Sequence, residues 1–239
     1  AGLYGMLYAL LSAEDYAAAR ASVQNAHYTD PEIASAMWNA LVDAGFDGGR
    51  VLEPGCGSGT FMSLAPDDAV MVGVEKDPIS AQIAHLLNPD AQVRLEGFEV
   101  TSVPEGAFAA TIGNVPFGGF EVPDPIHNPR HHNIHNAFLL KSLHLTAPGG
   151  WVVAITTSST MDATSTRARE DLAAVADLVG AVRLPNTAFK AVAGTEVGTD
   201  ILVFRRRAES RPVNDRPSWI DTRMVEVPDA DGTRAALAI

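Results

Sequence analysis

The sequence predicts a doubly wound α/β fold whose sheet has seven strands and is mostly parallel. Strand-like and helix-like patterns alternate along the chain, as in folds where helices cover both faces of a parallel sheet. A glycine-rich turn, 55–59, follows the first predicted strand, and an acidic residue, Glu75, ends the second. With 239 residues, of which 46% are hydrophobic, the chain can bury the core of one such domain.

The individual elements are predicted from apolar periodicity and from helix start signals, such as Asp77 as an N-cap followed by Pro78 at the first helical position. Helices are predicted over residues 3–24, 31–44, 78–87, 134–146 and 162–178. Strands are predicted over residues 50–52, 70–75, 92–95, 108–112, 151–156, 180–184 and 200–204, with a turn at 147–150. Residues 1–207 form the predicted domain, with a helical N-terminal part at 1–45, and the polar segment 208–239 is a tail or the start of a further domain.

The glycine-rich turn begins at Glu53 and reads EPGCGSG. Its glycines allow a ligand to approach the backbone closely, and the helix that follows offers free N–H groups. A dinucleotide pyrophosphate is one candidate ligand. The G-x-G-x-G spacing and the carboxylate of Glu53 favour instead a ligand with a cationic or neutral centre, such as S-adenosylmethionine. An ordinary tight turn without a ligand is the remaining alternative.

Glu75 lies about 20 residues after the glycine turn, the offset at which an acid in such folds accepts hydrogen bonds from a ribose. The alternative is a solvated charge at a strand end. Its strand-end position predicts that Glu75 is exposed, so that its loss would weaken cofactor binding with almost no effect on stability.

The segment after the fourth predicted strand is Asn114-Val115-Pro116-Phe117. An aromatic amine is a poor nucleophile because its lone pair is delocalised, so two acceptors have to bind its hydrogens and draw the nitrogen toward tetrahedral geometry. The side-chain oxygen of Asn114 and the backbone carbonyl of Val115 are the candidate acceptors. Pro116 keeps Val115 out of the helical region, which orients that carbonyl, and Phe117 offers a stacking face. The alternative is an Asn-initiated proline turn with a core Phe.

In this order, the glycine turn, Glu75 and the Asn-x-Pro-aromatic segment resemble the adenine-N6 DNA methyltransferases in which the cofactor motif precedes the catalytic motif. That family mostly has proline where this chain has Val115, a change expected to matter little because the residue contributes its carbonyl. Residues 28–31, 183–189 and 194–200 resemble the family's upstream cofactor motif, its late target-base loop and its final strands. The methylase portions of large methylase-helicase proteins carried by mobile elements are most similar in sequence to four segments of this chain: GNVPFG at 113–118, HNAFLLKSL at 135–143, RLPNTAF at 183–189 and GTEVGTD at 194–200.

The resemblance implies a Rossmann-like methyltransferase fold and transfer of a methyl group from S-adenosylmethionine to adenine N6 in DNA, in a restriction-modification context. The target base would be flipped between Phe117 and Phe189. The cofactor contacts implied by the matching motif positions are Thr29, Glu53, Gly55, Cys56, Gly57, Glu75 and Phe98. The family holds the cofactor adenine with an Asp-Phe pair, and this chain has Gly97-Phe98 there, so Phe98 is expected to stack without the neighbouring acid.

The charge of the chain disfavours strong DNA binding by this segment alone. The formal net charge is −12, and residues 1–150 hold 6 basic and 17 acidic residues, or −11. We therefore expect DNA affinity and sequence choice to depend on a recognition or helicase domain outside this sequence. Arg205, Arg206 and Arg207 either line a DNA path or end a solvated strand.

Four histidines, His127, His131, His132 and His135, suggest a zinc site, but no Cys or carboxylate completes the set, so no metal is expected and a loop that contacts DNA is favoured. The single cysteine, Cys56, excludes an internal disulfide and suits a cytoplasmic protein, and it is interpreted as a wall of the cofactor turn rather than as a nucleophile. Neither a secretion signal nor a membrane span is predicted.

Two other functions remain open. An Asn-x-Pro-aromatic segment suits any planar amide or aromatic amine, so RNA or a glutamine side chain of a protein is an alternative methyl acceptor. Gly97 and the acidic charge leave open a different class of function, a non-catalytic module that binds cofactor or DNA for a larger protein.

Overall fold

The computed structural model of the protein describes residues 29–185, 198–212, 215–228 and 234–238. The predicted helix over residues 3–24 and the predicted base contact Phe189 lie outside the described residues.

The helices of the described part are α1 (Pro31–Asp43), α2 (Thr60–Ser63), α3 (Pro78–Leu87), α4 (Ile134–Leu145), α5 (Ser159–Asp162) and α6 (Arg167–Val175), with 3₁₀ turns at Phe98–Val100 and Ser218–Ile220. The strands are β1 (Gly49–Pro54), β2 (Ala69–Glu75), β3 (Gln92–Leu95), β4 (Phe108–Asn114), β5 (Thr146–Thr157), β6 (Ala176–Arg183), β7 (Thr199–Arg206), β8 (Met224–Pro228) and β9 (Arg234–Ala238). The N-cap predicted for α3 is confirmed, because the Asp77 carboxylate accepts a hydrogen bond of 2.7 Å from the N–H of Ser80.

Seven strands form one twisted sheet in the order β3-β2-β1-β4-β5-β7-β6. All neighbouring pairs are parallel except the two that involve β7, which runs antiparallel to both β5 and β6. The predicted mostly parallel, seven-stranded, doubly wound sheet is therefore confirmed. Strands β8 and β9 form a separate two-stranded antiparallel sheet.

Apolar side chains cover both faces of the main sheet, as expected for parallel strands buried on both sides. On one face, Leu52 and Val72 pack with α4, whose Leu139 and Leu143 are fully buried. Neighbouring strand residues face the opposite side, where they pack with α1. The two layers hold the strand ends in fixed positions, which matters for the site described below. No helix in the described ranges is both long and apolar enough to cross a membrane.

Two predicted boundaries are wrong. The helix predicted over 162–178 is instead α5 and the shorter α6, and strand β6 already begins at Ala176, because Ala176 to Leu178 pair with β7. This tertiary pairing overrides the local helical pattern. The turn predicted at 147–150 falls within β5, where the ladder to β4 is irregular between the pairs Phe108–Thr146 and Ala110–Trp151.

The segment after Arg207 packs on the main fold through the 3₁₀ turn Ser218–Ile220. The buried guanidinium of Arg169 donates hydrogen bonds to three backbone carbonyls, those of Ile220 at 2.7 Å, Ala163 at 2.8 Å and Thr160 at 3.1 Å. Arg169 thereby connects this segment to the loop between α5 and α6.

Candidate active site

A cavity of about 600 Å³ lies at the carboxyl ends of β1, β2, β3 and β4. The strand order reverses here, because β1 leads to β2 and β3 on one side and β4 starts the other side. Ligands of open α/β sheets bind outside the carboxyl ends of the strands at such a reversal. The residues predicted from sequence that line the cavity are Thr29, Glu53, Gly55, Cys56, Gly57, Glu75, Phe98, Asn114, Val115 and Pro116.

The glycine turn bends through backbone conformations that favour glycine, with φ of +70° at Gly55 and +54° at Gly57. The N–H groups of Gly55 and Cys56 both donate to the carbonyl of Val74, at 2.8 and 3.0 Å. The turn is thus fixed to the end of β2, so that the cavity is bordered by exposed backbone on its β1 side.

Glu75 is a half-buried hydrogen-bond acceptor for two backbone groups. Its Oε2 accepts from the N–H of Gly57 at 2.8 Å, and its Oε1 accepts from the N–H of Asp77 at 2.7 Å. The expectation that Glu75 is an exposed charge without a structural role is therefore wrong, because the chain folds its own N–H groups onto the carboxylate. Each carboxylate oxygen has a second lone pair, so Glu75 retains the capacity to accept from a ribose, which stays a prediction.

Glu53 is a buried acid in the cavity wall, with 2% of its surface exposed. Burial raises the pKa of its carboxyl well above the usual range, hydrogen bonds with the backbone of Met62 and Phe61 oppose the shift, and the charge of Glu75 adds to it. Its Oε2 is buried and has no hydrogen-bond partner among the described residues. An unsatisfied acceptor in this position is suited to a cationic donor entering the cavity.

Cys56 lines the cavity as a buried thiol. Burial raises its pKa, and the nearby carboxylates of Glu53 and Glu75 raise it further, so the thiolate is disfavoured. The space left by Gly73 is filled by the end of the Met62 side chain and by this thiol, since a Cβ atom placed on Gly73 would overlap Met62 Cε and lie 2.8 Å from the sulfur. These features support the interpretation of Cys56 as a wall.

The Asn-x-Pro segment lies close to the glycine turn, and both line the cavity. Asn114 is the last residue of β4, and the N–H of Val115 donates to the carbonyl of Ile155 at 3.0 Å, which continues the pairing with β5. A Cβ atom placed on Gly55 would lie 3.6 Å from Cδ of Pro116. The two motifs, separated by some 60 positions in the chain, thus share one wall of the cavity.

The aromatic residue at the mouth of the cavity is Phe120. Phe117 is not among the lining residues, whereas Phe120 lines the cavity with 58% of its surface exposed and its ring folded over Gly118. Sequence reasoning missed Phe120, although a second aromatic residue only two glycines after Phe117 could have indicated it. The stacking roles of Phe117 and Phe189 stay predictions.

At the end of β3, Phe98 is buried against Phe138, with ring centroids 4.9 Å apart. A lysine that sequence reasoning also missed supports this part of the wall. The buried ammonium of Lys141 donates to Asp124 Oδ2 at 2.8 Å and to the carbonyl of Glu99 at 3.1 Å, and it lies 5.2 Å from the centre of the Phe98 ring. The one signal in the sequence is a charge within the apolar helix α4.

The histidine-rich loop, which carries His127, His131 and His132, is closed at its neck and bonded to α6. The N–H of Ile134 donates to the carbonyl of Phe120 at 2.9 Å, and Glu121 and Asn133 form an isolated β-bridge. His132 Nε2 lies 2.6 Å from Asp171 Oδ2 on α6. In the described ranges, no three His, Cys, Asp or Glu side chains are grouped so as to hold a metal ion. Contact of this loop with DNA stays a prediction.

His135 lies behind the Asn-x-Pro segment, at the start of α4. Burial lowers the pKa of its imidazole to about 4, although a hydrogen bond with the backbone of Gly118 opposes the shift. Its Nε2 lies 3.4 Å from the hydroxyl of Ser159. The ring is therefore neutral at pH 7 and serves packing at this position.

The three arginines that end β7 make contacts within the fold. The guanidinium of Arg205 lies 5.0 Å from the centre of the Trp151 ring, Arg206 donates to the carbonyl of Val175, and Arg207 is paired with Asp177. These contacts fit a strand end in solvent at least as well as a DNA path.

Comparison with known proteins gave one similar curated sequence and many similar folds. No family model matches the chain. The Defense against restriction protein B of Escherichia phage P1 is 33% identical to it over 185 residues. These residues are 75% of this chain and 8% of the phage protein, so the chain spans a small part of the relative's length.

Two solved structures illustrate the similarity of fold. A Listeria monocytogenes protein described as a class I S-adenosylmethionine-dependent methyltransferase has a TM-score of 0.59 and 18% identity, with 78% of this chain and 61% of that chain covered. The M protein of the type I restriction enzyme EcoKI has a TM-score of 0.61 and 19% identity, with 75% of this chain and 44% of that chain covered. The chain therefore has the Rossmann-like fold of S-adenosylmethionine-dependent methyltransferases.

Proposed function

We propose that this domain transfers a methyl group from S-adenosylmethionine to the N6 amino group of adenine in DNA. The observation that carries the proposal is that the Asn-x-Pro segment and the glycine turn line one cavity, with Pro116 next to the space that a side chain on Gly55 would occupy. A methyl donor held by the turn and an amine held by Asn114 would then lie next to each other, as a direct transfer requires.

The residues of the cavity fit S-adenosylmethionine. The buried, unsatisfied Oε2 of Glu53 is suited to the ammonium group of the methionine part, and the carboxylate of Glu75 to the ribose hydroxyls. The ring of Phe98 lies one strand further along the same edge and is the contact that we propose for the adenine. When bound, the cofactor supplies an electrophilic methyl group on its sulfonium.

On the acceptor side, the Asn114 side-chain oxygen and the Val115 carbonyl would bind the two hydrogens of the amine. This contact draws the lone pair of the nitrogen out of conjugation and stabilises the positive charge that develops as the methyl group is transferred. Val115 is held by its hydrogen bond to Ile155, so its carbonyl does not have to reorganise during the reaction. Phe120 at the mouth is available for stacking with a flipped base.

DNA is the preferred acceptor because two of the similar proteins, the phage protein and the EcoKI subunit, are named for restriction. Because the net charge is −12, we propose that other domains of a larger protein supply DNA affinity and sequence choice, and that this domain supplies the methyl transfer. A cytoplasmic location agrees with this role.

The test is transfer of a radiolabelled methyl group from S-adenosylmethionine to genomic DNA, total RNA and protein, with the protein that carries this domain and its Asn114→Ala variant. We expect labelled DNA containing N6-methyladenine, loss of labelling by at least a hundredfold in the variant, and cofactor binding within about twofold of the wild type, since the lost acceptor acts in the transition state. Asn133→Ala, which truncates an exposed asparagine at the start of α4, is the matched control.

Each other result refutes a stated part of the proposal. Labelling of RNA or protein, with no labelling of DNA, would show that DNA is not the methyl acceptor. Activity of the Asn114→Ala variant within a few-fold of wild type would exclude Asn114 as the acceptor. Cofactor binding without transfer to any acceptor would make the domain a binding module.

A further inference from the structure

The space beside Gly97, in the adenine end of the cavity, is occupied by the side chain of Glu99. A Cβ atom placed on Gly97 would lie 2.6 Å from both Cδ and Oε2 of Glu99, and its other carboxylate oxygen is also in contact. Because Cβ atoms essentially never approach other atoms within 3.0 Å, a side chain at position 97 would displace the carboxylate of Glu99 from this position. The Glu99 carboxylate therefore lies where a side chain at position 97 would begin.

The backbone at Glu99 is fixed by the buried lysine of α4. Lys141 donates to the Glu99 carbonyl at 3.1 Å, while its charge is paired with Asp124 at 2.8 Å and not with the Glu99 carboxylate. Glu99 and Gly97 both line the cavity, on either side of the buried Phe98 in the chain. The carboxylate of Glu99 thus lies at the rim of an aromatic wall, on a backbone position that Lys141 fixes.

The chemistry of this end of the cavity suits an aminated heterocycle. The ring of Phe98 offers an apolar contact to a flat ring, and a carboxylate at its rim accepts a hydrogen bond from an exocyclic amino group. The ends of β1, β2 and β3 follow one another along the sheet edge, so a ligand with its ribose at Glu75 would place its base at Phe98.

We propose that Glu99 accepts the hydrogen bond of the 6-amino group of the cofactor adenine, with its carboxylate in the space that a side chain at position 97 would otherwise occupy. The assignment rests on the proposed function for the identity of the ligand. The competing role for Glu99 is purely structural, since its carboxylate lies near the first residues of the 3₁₀ turn Phe98–Val100 and stabilises that turn electrostatically.

Calorimetric titration with two ligands separates these roles. The first ligand is S-adenosylhomocysteine, and the second is its analogue with purine in place of adenine, which lacks the 6-amino group. We expect the wild type to bind the first about tenfold to a hundredfold more tightly, the effect of one hydrogen bond to a charged acceptor. Glu99→Ala should remove this preference by weakening the first ligand alone, and Glu105→Ala, at an exposed acid, should not alter it.

A second substitution tests the geometry. Gly97→Asp in the Glu99→Ala background should restore the preference for the 6-amino group, because the space beside residue 97 has become available. Gly97→Asp alone should not increase the preference over wild type, because its side chain displaces the Glu99 carboxylate and one acid takes the place of the other.

Three results would overturn the inference. If Glu99→Ala weakens both ligands equally and lowers the melting temperature, the role of Glu99 is structural. If the variant keeps the wild-type preference, another group binds the amine. If the wild type binds neither ligand, the proposed function fails together with this assignment, whereas the first two results leave the proposed function intact.

Discussion

Replacement of Glu75 by alanine should weaken both the cofactor-free fold and cofactor binding. The carboxylate accepts hydrogen bonds from the N–H groups of Gly57 and Asp77, at 2.8 and 2.7 Å. Without it, the glycine turn loses its connection to the end of β2 at Gly57, and the chain that leads into α3 loses its contact at Asp77. The same substitution removes the acceptor proposed for the ribose.

The expected loss of stability follows from the number of these hydrogen bonds and from their partial exposure to water. A hydrogen bond to a charged group contributes about 1.5–3 kcal/mol when it is well shielded. Glu75 is half-buried and water competes for both bonds, so we expect a total loss of about 2–3 kcal/mol in the free energy of unfolding. For a domain of this size each kcal/mol corresponds to about 2–4 °C, so the melting temperature should fall by about 4–12 °C. Glu75→Gln, which keeps an acceptor oxygen for one N–H group, should lose about half as much.

The assay combines urea denaturation of the cofactor-free protein with calorimetric titration of S-adenosylhomocysteine. Asp67→Ala, at an exposed acid, controls for the change in net charge. An unchanged free energy of unfolding in Glu75→Ala would refute the structural role of the carboxylate. Unaltered affinity for S-adenosylhomocysteine would refute the ribose contact and, with it, the placement of the cofactor along the sheet edge.

Three further changes test parts of the site. Val115→Pro removes the N–H that donates to Ile155, so we expect the free energy of unfolding, measured by urea denaturation, to fall by about 1–3 kcal/mol. Methyl transfer below the unfolding temperature should stay within about tenfold of wild type, since the carbonyl remains. Complete loss of transfer in this variant, while Val115→Ala stays active, would contradict this account. Burial lowers the pKa of His135 to about 4 from about 6.5 in an unfolded chain, so wild-type stability should fall as the pH decreases from about 6.5 toward 4. His135→Gln should flatten that part of the pH–stability curve, and an unchanged curve would assign the pH dependence to other groups. Lys141→Met leaves the Asp124 carboxylate buried without its cation and should lower the free energy of unfolding by about 3–5 kcal/mol. The added change Asp124→Asn should recover most of this loss. Equal stability of the single and double variants would argue against a stabilising Lys141–Asp124 ion pair.

The elements that sequence predicted well are those with local signals. Helix α3 begins and ends where predicted because Asp77 and Pro78 fix its start, and the glycine turn follows from its composition. The boundary between α6 and β6 was missed because it depends on pairing of Ala176 with Arg206 in a strand that comes later in the chain.

The parts of the site that sequence did not predict depend on contacts between distant residues. Lys141 reaches Glu99 across 42 positions, and Glu75 reaches Gly57 across 18. No periodicity or short-range spacing in the sequence predicts either contact. Sequence indicated many of the residues that line the cavity, and the fold determined which backbone groups hold them.

Arg169 has a consequence for the choice of fragments in expression work. Its guanidinium donates to the carbonyls of Thr160, Ala163 and Ile220, so the last of these carbonyls is part of what replaces water around a buried cation. A fragment ended at Arg207, where the composition changes, would remove that acceptor and also uncover Phe204, which the ring of Trp219 covers at 6.1 Å. The smallest soluble unit should therefore extend at least through Asp221, and a change in composition is here a poor guide to where a stable fragment can end.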